Sequence, residues 1–389
     1  MKFKVTVAYL KNVLDMVNSA IPKTSSLPMF TTAFFHKDGE DIKLIGGDSD
    51  RQLFIVLDQL MDMEGDWKDF CLSLDQLTAA ISKMPEQPLD ITIDEGLFTV
   101  SYVLSSKEGA KRDSFSIPIQ DSEQYVLMQG KNFDLEITVP PNELLPFVKT
   151  ATNYTSTKDA AILRPVMACV ALDCKEDMLV FAASDGHRLY RNRCKMEPSY
   201  IVSGEAGMIL IHREHVPVLL KAFCYTEEIT IDVSENALKF TSEDGKVAML
   251  CVGISGKFPN YNSVIPTNNP HVMIADKKEM LRALNMVSLF ASESSKQVAI
   301  RKDGMVVTLE ARDIDFSLNG SASIFPTECS LPDKFAIGFN SDSLRMVLSD
   351  IPTEQVKFEL SDPSRAGVLH PDDENIDLTL LIMPLILND

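Results

Sequence analysis

Asp185 and His187, two residues apart with Arg188 beside them, are the side chains of this sequence best suited to chemistry. An Asp–His pair on one strand face could hold an imidazole as general base for a nearby Cys or Ser. No nucleophile-elbow motif accompanies the pair. His212-Arg213-Glu214-His215 lacks the i, i+4 spacing that sets two metal ligands on one helical face. Gly46-Gly47 opens neither a phosphate loop nor a dinucleotide fingerprint. The seven cysteines are odd in number, show no Cys-x-x-Cys pair, and read as reduced, mostly buried thiols. No enzyme chemistry is assembled by these motifs, and neither cofactor nor metal is expected. A binding role is left for the Asp-Gly-His-Arg cluster.

That cluster must be positioned by its flanks. Met178 to Ala183 is an apolar, strand-like run, and Tyr190 to Cys194 reads as a return strand. Asp-Gly between two such runs is a hairpin signal, because Gly reaches positive φ without steric cost. Ser184 to Leu189 is therefore a hairpin tip carrying His, Arg and Leu that the turn itself does not need.

The rest of the sequence repeats one arrangement six times: a short alternating strand runs directly into an amphipathic helix. Helices are expected over 8–21, 75–84, 140–155, 212–224, 276–291 and 340–351. Asp75, Asp276 and Asn340 are the expected N-caps, and Pro141 suits a first turn. Pro146 and Pro217 should distort the starts of their helices. The first core residues of the six helices, Leu10, Leu77, Leu144, Val216, Leu281 and Leu344, recur every 63 to 72 positions. One helix with its strands cannot close a core, whereas two such units can. The expectation is an α+β fold of three similar domains, 1–130, 131–265 and 266–389, each with two helices packed on antiparallel sheets.

Charge follows the same division. The chain of 389 residues carries a net charge of −19, yet its six helical segments with their flanks (6–21, 73–84, 140–155, 212–224, 276–293 and 340–350) sum to zero, so the whole excess lies outside them. Each helix also bears a basic residue on its polar side: Lys11, Lys83, Lys149, Lys221, Arg282 and Arg345. A helical surface that tolerates phosphates, beside sheets that repel them, fits this distribution. No apolar run approaches the roughly 20 residues of a membrane span, and the N-terminus lacks a signal-peptide pattern. A cytoplasmic location is expected.

With these features in place, the whole chain resembles the bacterial DNA polymerase III beta subunit family, the sliding clamps. Ser184-Asp-Gly-His-Arg-Leu189 is close to the family's Thr-Asp-Gly-His-Arg-Leu. Lys257-Phe-Pro-Asn-Tyr261 with Val264-Ile-Pro266, Ile337-Gly-Phe-Asn340 and Ile382-Met-Pro-Leu385 match further motifs in the same order, and Leu27-Pro28 is a weaker match. The resemblance implies a head-to-tail homodimer forming a six-domain ring around double-stranded DNA, without sequence preference and held topologically. Its implied partners are the replicative DNA polymerase, the clamp loader and other proteins with a short Gln/Leu/Phe-containing clamp-binding motif. A non-catalytic scaffold of the same repeats, without DNA encirclement, is the alternative.

Carried over residue by residue, the resemblance implies a peptide pocket of Met167, Gly186, His187, Arg188, Leu189, Pro259, Val264, Asn340, Ser343, Ile382, Met383, Pro384 and Leu385. Met, Leu and Val supply an adaptable apolar wall, while His187, Arg188 and Asn340 fix orientation. DNA-facing candidates are the six helical cations together with Lys23 and Arg164. Phe115, Leu289 and Phe290 are candidates for the subunit interface. Departures are also visible. Gln297 stands where the family commonly has an aromatic, Ser263 replaces a frequent Arg, Pro165 and Val166 replace aromatics of some members, and Asn388-Asp389 extends the usual end.

Overall fold

The structure, a computed structural model, describes all residues except 105–110, 131, 158–161, 176–177, 196–200, 204–206 and 388–389, and the backbone alone of 201–203. The Asn388-Asp389 extension thus lies outside the described residues. Six helices occur where the repeat places them: α1 Val7–Ala20, α2 Leu74–Ile81, α3 Pro141–Thr152, α4 Val216–Ala222, α5 Lys277–Val287 and α6 Ser341–Asp350. Each follows a strand: Lys2–Thr6, Phe70–Leu72, Leu135–Val139, Met208–His212, His271–Asp276 and Phe335–Asn340.

The caps explain the helix starts. Asp276 accepts from the Glu279 N–H at 2.7 Å and Asn340 from the Ser343 N–H at 3.0 Å, each satisfying an orphan donor of the first turn. Asp75 is not a cap: α2 begins at Leu74 after Ser73, and Asp75 is a first-turn acid favoured by the helix dipole. The helix expected over 212–224 is shorter. His212 ends a strand and α4 starts only at Val216, because Pro217 fits the first turn and cannot be preceded by helical hydrogen bonding through its own nitrogen. Pro28 likewise opens a short 3-10 turn, Pro28–Thr31, and the next strand begins at Ala33.

The chain forms two compact units. The first comprises 1–146, 199–205 and 214–255. It holds a five-stranded sheet, ordered Met61–Glu64, Lys2–Thr6, Pro88–Asp94, Leu97–Tyr102, Asp113–Pro118. Its second sheet has nine strands and joins Val247–Val252 antiparallel to Arg51–Val56, so strands from segments expected to be separate domains share one sheet. Helix α1 packs on both α2 and α4, and its Leu10, Leu14 and Val17 are buried.

The second unit comprises 147–198, 206–213 and 256–389. Its nine-stranded sheet joins Arg188–Lys195 antiparallel to Asp377–Ile382, again across an expected boundary. Its four-stranded sheet is ordered Leu318–Ile324, Val306–Asp313, Gln297–Asp303, Phe335–Asn340. Helices α5 and α6 pack on each other. Every strand pair is antiparallel, and strands such as Lys2–Thr6 alternate buried and exposed side chains, as a half-covered sheet requires. Among the described residues no helix is long and apolar enough to cross a membrane. All seven cysteines are free; burial pushes the Cys169 and Cys174 thiols up to about 12, which keeps them protonated and inert.

Candidate docking pocket

The hairpin is centred one residue later than the Asp-Gly signal suggests. Strands Met178–Ser184 and Arg188–Lys195 pair Ser184 with Leu189, so Gly186 and His187 form the tip. Gly186 takes the first tip position at φ +89°, where a side chain would be strained. Asp185 Oδ1 accepts from the backbone N–H of His187 at 2.9 Å and of Arg188 at 2.8 Å. Its Oδ2 accepts from Arg188 Nε at 2.9 Å and Nη2 at 2.5 Å. The Asp–His dyad does not form: Asp185 braces the turn and Arg188, both of its oxygens engaged.

Arg188 is also held from behind. Its Nη1 lies 3.0 Å from Met346 Sδ of α6, and its guanidinium stands 5.9 Å from the centre of the Tyr154 ring. Tyr154 is fully buried, and desolvation holds its hydroxyl far above the usual phenol range. Asp350, at the end of α6, has its carboxyl raised by burial, partly offset by Tyr154 and Arg188.

The segment Lys257–Ile265 brings the next wall. Phe258 and Tyr261 are buried in a cluster with Leu189, Val180 and Leu381. Tyr261 donates its hydroxyl to Asp173 at 2.6 Å. Asn260 caps the 3-10 turn Tyr261–Val264 by accepting from the Asn262 N–H. With those anchors fixed, Pro259 and Val264 are turned outward, Val264 being 56 % exposed. Met167 sits nearly buried on the turn Pro165–Ala168, whose Val166 packs on the same cluster.

The last wall is the chain's end. Ile382 pairs with Arg188 and with Gly367. The Met383 N–H donates to the His187 carbonyl at 2.8 Å, and the Leu385 N–H to the Gly338 carbonyl at 2.8 Å. The tail thus ties the hairpin to the strand that ends at Asn340. Met383 remains 40 % exposed.

Hairpin, linker turn, α6 start and tail all belong to one unit. Three candidates play a different part from that expected. Leu189 and Ile382 are buried beneath the surface and form its floor. The Asn340 side chain is engaged in capping and in donating to the Ser295 carbonyl at 3.3 Å. Tyr154 and Met346 were not legible as neighbours of Arg188; only the Asp185–Arg188 spacing hinted at the brace.

Comparison with known proteins places this geometry. Residues 262–386 match the family of the DNA polymerase III beta subunit, C-terminal domain. A beta sliding clamp of Caulobacter vibrioides is 22 % identical over 388 residues, covering 99 % of this chain and 100 % of its own. The DNA polymerase III subunit beta of Pseudomonas aeruginosa superposes with a TM-score of 0.86 at 19 % identity, covering 100 % of both chains. That of Streptococcus pneumoniae superposes with 0.87 at 18 %, covering 99 % of this chain and 100 % of its own. Over its whole length the chain has the fold of these sliding clamps.

In this clamp fold the remaining candidates fall as follows. Lys11, Lys23, Lys83, Lys149, Arg164 and Arg282 are exposed. Lys221 is paired with Asp15 at 2.7 Å, and Arg345 with Asp342 at 2.7 Å and Asn285 at 2.7 Å, so these two are partly neutralised within the chain. Phe115 is half-buried beside the Tyr102 ring, on the terminal strand of the five-stranded sheet. Leu289 is 73 % exposed, and Phe290 lies over Gly320 of the strand that ends the four-stranded sheet.

Proposed function

We propose that this protein is a sliding clamp: a non-catalytic processivity factor for a replicative DNA polymerase, acting in the cytoplasm as a ring of two copies around duplex DNA. The observation that carries the assembly is the strand count. Among the described residues two sheets have nine strands each, while the others stop at five and four, with Asp113–Pro118 and Leu318–Ile324 as outer strands. An open strand edge is a template for another strand. Joining the five-stranded edge of one copy to the four-stranded edge of another reproduces a third nine-stranded sheet. Because the two edges differ, the join is head-to-tail, and a two-copy ring closes when both joins form. Phe115, Leu289 and Phe290 flank these edges and supply the apolar contacts there.

In such a ring each segment, 1–130, 131–265 and 266–389, acts as one of three equivalent domains per copy, contributing two helices. The helices, close to neutral in sum, face the DNA, and the acidic sheets face outward. Sequence-independent, water-bridged contacts from Lys11, Lys83, Lys149, Arg282 and their neighbours allow sliding. Lys23 and Arg164 extend the same surface from loops. The pocket at Arg188 binds short Gln/Leu/Phe-containing peptides of the polymerase, of the clamp loader and of other partners. Light scattering tests the assembly: the proposal predicts a particle of twice 43.2 kDa, and a 43.2 kDa monomer at micromolar concentration contradicts it.

A further inference from the structure

Gln297, the residue at which this chain departs from the aromatic common in relatives, does not point idle into solvent. Its Nε2 donates to the Ile386 carbonyl at 2.7 Å. That bond continues the ladder made by the Met383 N–H on the His187 carbonyl and the Leu385 N–H on the Gly338 carbonyl. The tail is otherwise thinly attached. Among the described residues a single bridge, Gly338 to Leu385, joins it to the outer edge of the strand Phe335–Asn340, and the Ile386 side chain is 83 % exposed. Close approach at that bridge depends on Gly338. A Cβ there would stand 2.7 Å from Leu387 Cδ2 and 2.9 Å from the Leu385 carbonyl oxygen. Beyond the bridge, Leu387 lines a cavity of about 240 Å³ together with Gln297, Ala299 and Ile314.

From this arrangement we infer that Gln297 is a positioning residue for partner binding: it clasps the tail so that Met383 to Leu385 stand ready as the pocket's wall. The inference rests on the peptide-pocket proposal above and deepens it. A wall held at only two backbone points would sample open arrangements, and every open arrangement lowers the fraction of molecules able to bind. Gln297 acts on that fraction and not on the peptide. Its loss therefore slows association and leaves dissociation unchanged, whereas loss of a direct contact speeds dissociation. Released from the clasp, the tail would not unblock the pocket, because its own side chains are the wall.

The test measures association and dissociation of a fluorescein-labelled pentapeptide built from Gln, Leu and Phe, with hydrogen exchange at the Leu385 amide read on the free protein. Gln297→Ala, and the near-isosteric Gln297→Glu that cannot donate, should weaken binding about three- to tenfold through association alone and speed Leu385 exchange by a similar factor. Gln297→Arg, which restores a donor, should recover most of both. Unchanged affinity, a loss carried by dissociation, or tighter binding by the Ala variant overturns the inference while leaving the pocket in place. Absence of peptide binding by the unaltered protein overturns the pocket proposal itself, and unchanged Leu385 exchange in the Ala variant then separately disproves the clasp.

Discussion

At the residue scale, the site depends on how few polar groups are left unassigned. Asp185 braces the turn through Oδ1 and Arg188 through Oδ2, so it is the pivot on which the exposed edge is built. A partly buried, charge-assisted pair of this kind is stronger than a surface ion pair because solvent screens it less. Replacing Arg188 with Ala removes the pocket's cation and strands the Asp185 carboxylate. Peptide affinity should fall at least tenfold by fluorescence anisotropy while the particle mass is unchanged; undiminished affinity would remove Arg188 from the pocket. The motif itself was legible, since Asp-Gly between apolar runs marks a hairpin. Its backing was not: Tyr154 and Met346 reach Arg188 only through folding, across sequence separations that no local pattern encodes.

At the element scale, the six strand-to-helix units were legible because periodicity changes from two to 3.6 at each junction. Helix starts were legible where a side chain accepts from the first turn, as at Asp276 and Asn340. They were misjudged where backbone chemistry decides, as at Pro217. The Asp276 cap gives a test of this account at a site away from the pocket. Asp276→Ala should lower stability by about 1 kcal/mol in urea titration, with peptide affinity unaltered; a loss near zero would mean that the strand before α5 fixes the helix start unaided. Sheet membership was harder to see than elements, because strands such as Val247–Val252 and Arg51–Val56 complete one sheet from distant parts of the chain. Sequence shows where strands are, and only pairing shows which sheet each one joins.

At the scale of the whole molecule, the net charge of −19 and the proposed DNA partner are reconciled by distribution. The acidic excess lies outside the six helices, so a surface built of those helices need not repel phosphates. The proposed ring also relaxes the demand on affinity, since a closed loop would stay on DNA by topology and need no tight contact. Retention should therefore depend on whether the DNA has ends, far more than on how strongly the helices attract it. The decisive measurement is retention of labelled protein on circular DNA, after loading, before and after the circle is cut once. The account predicts that protein stays on the intact circle through a gel-filtration column and is lost when the circle is linearised. Equal retention on both forms would contradict it.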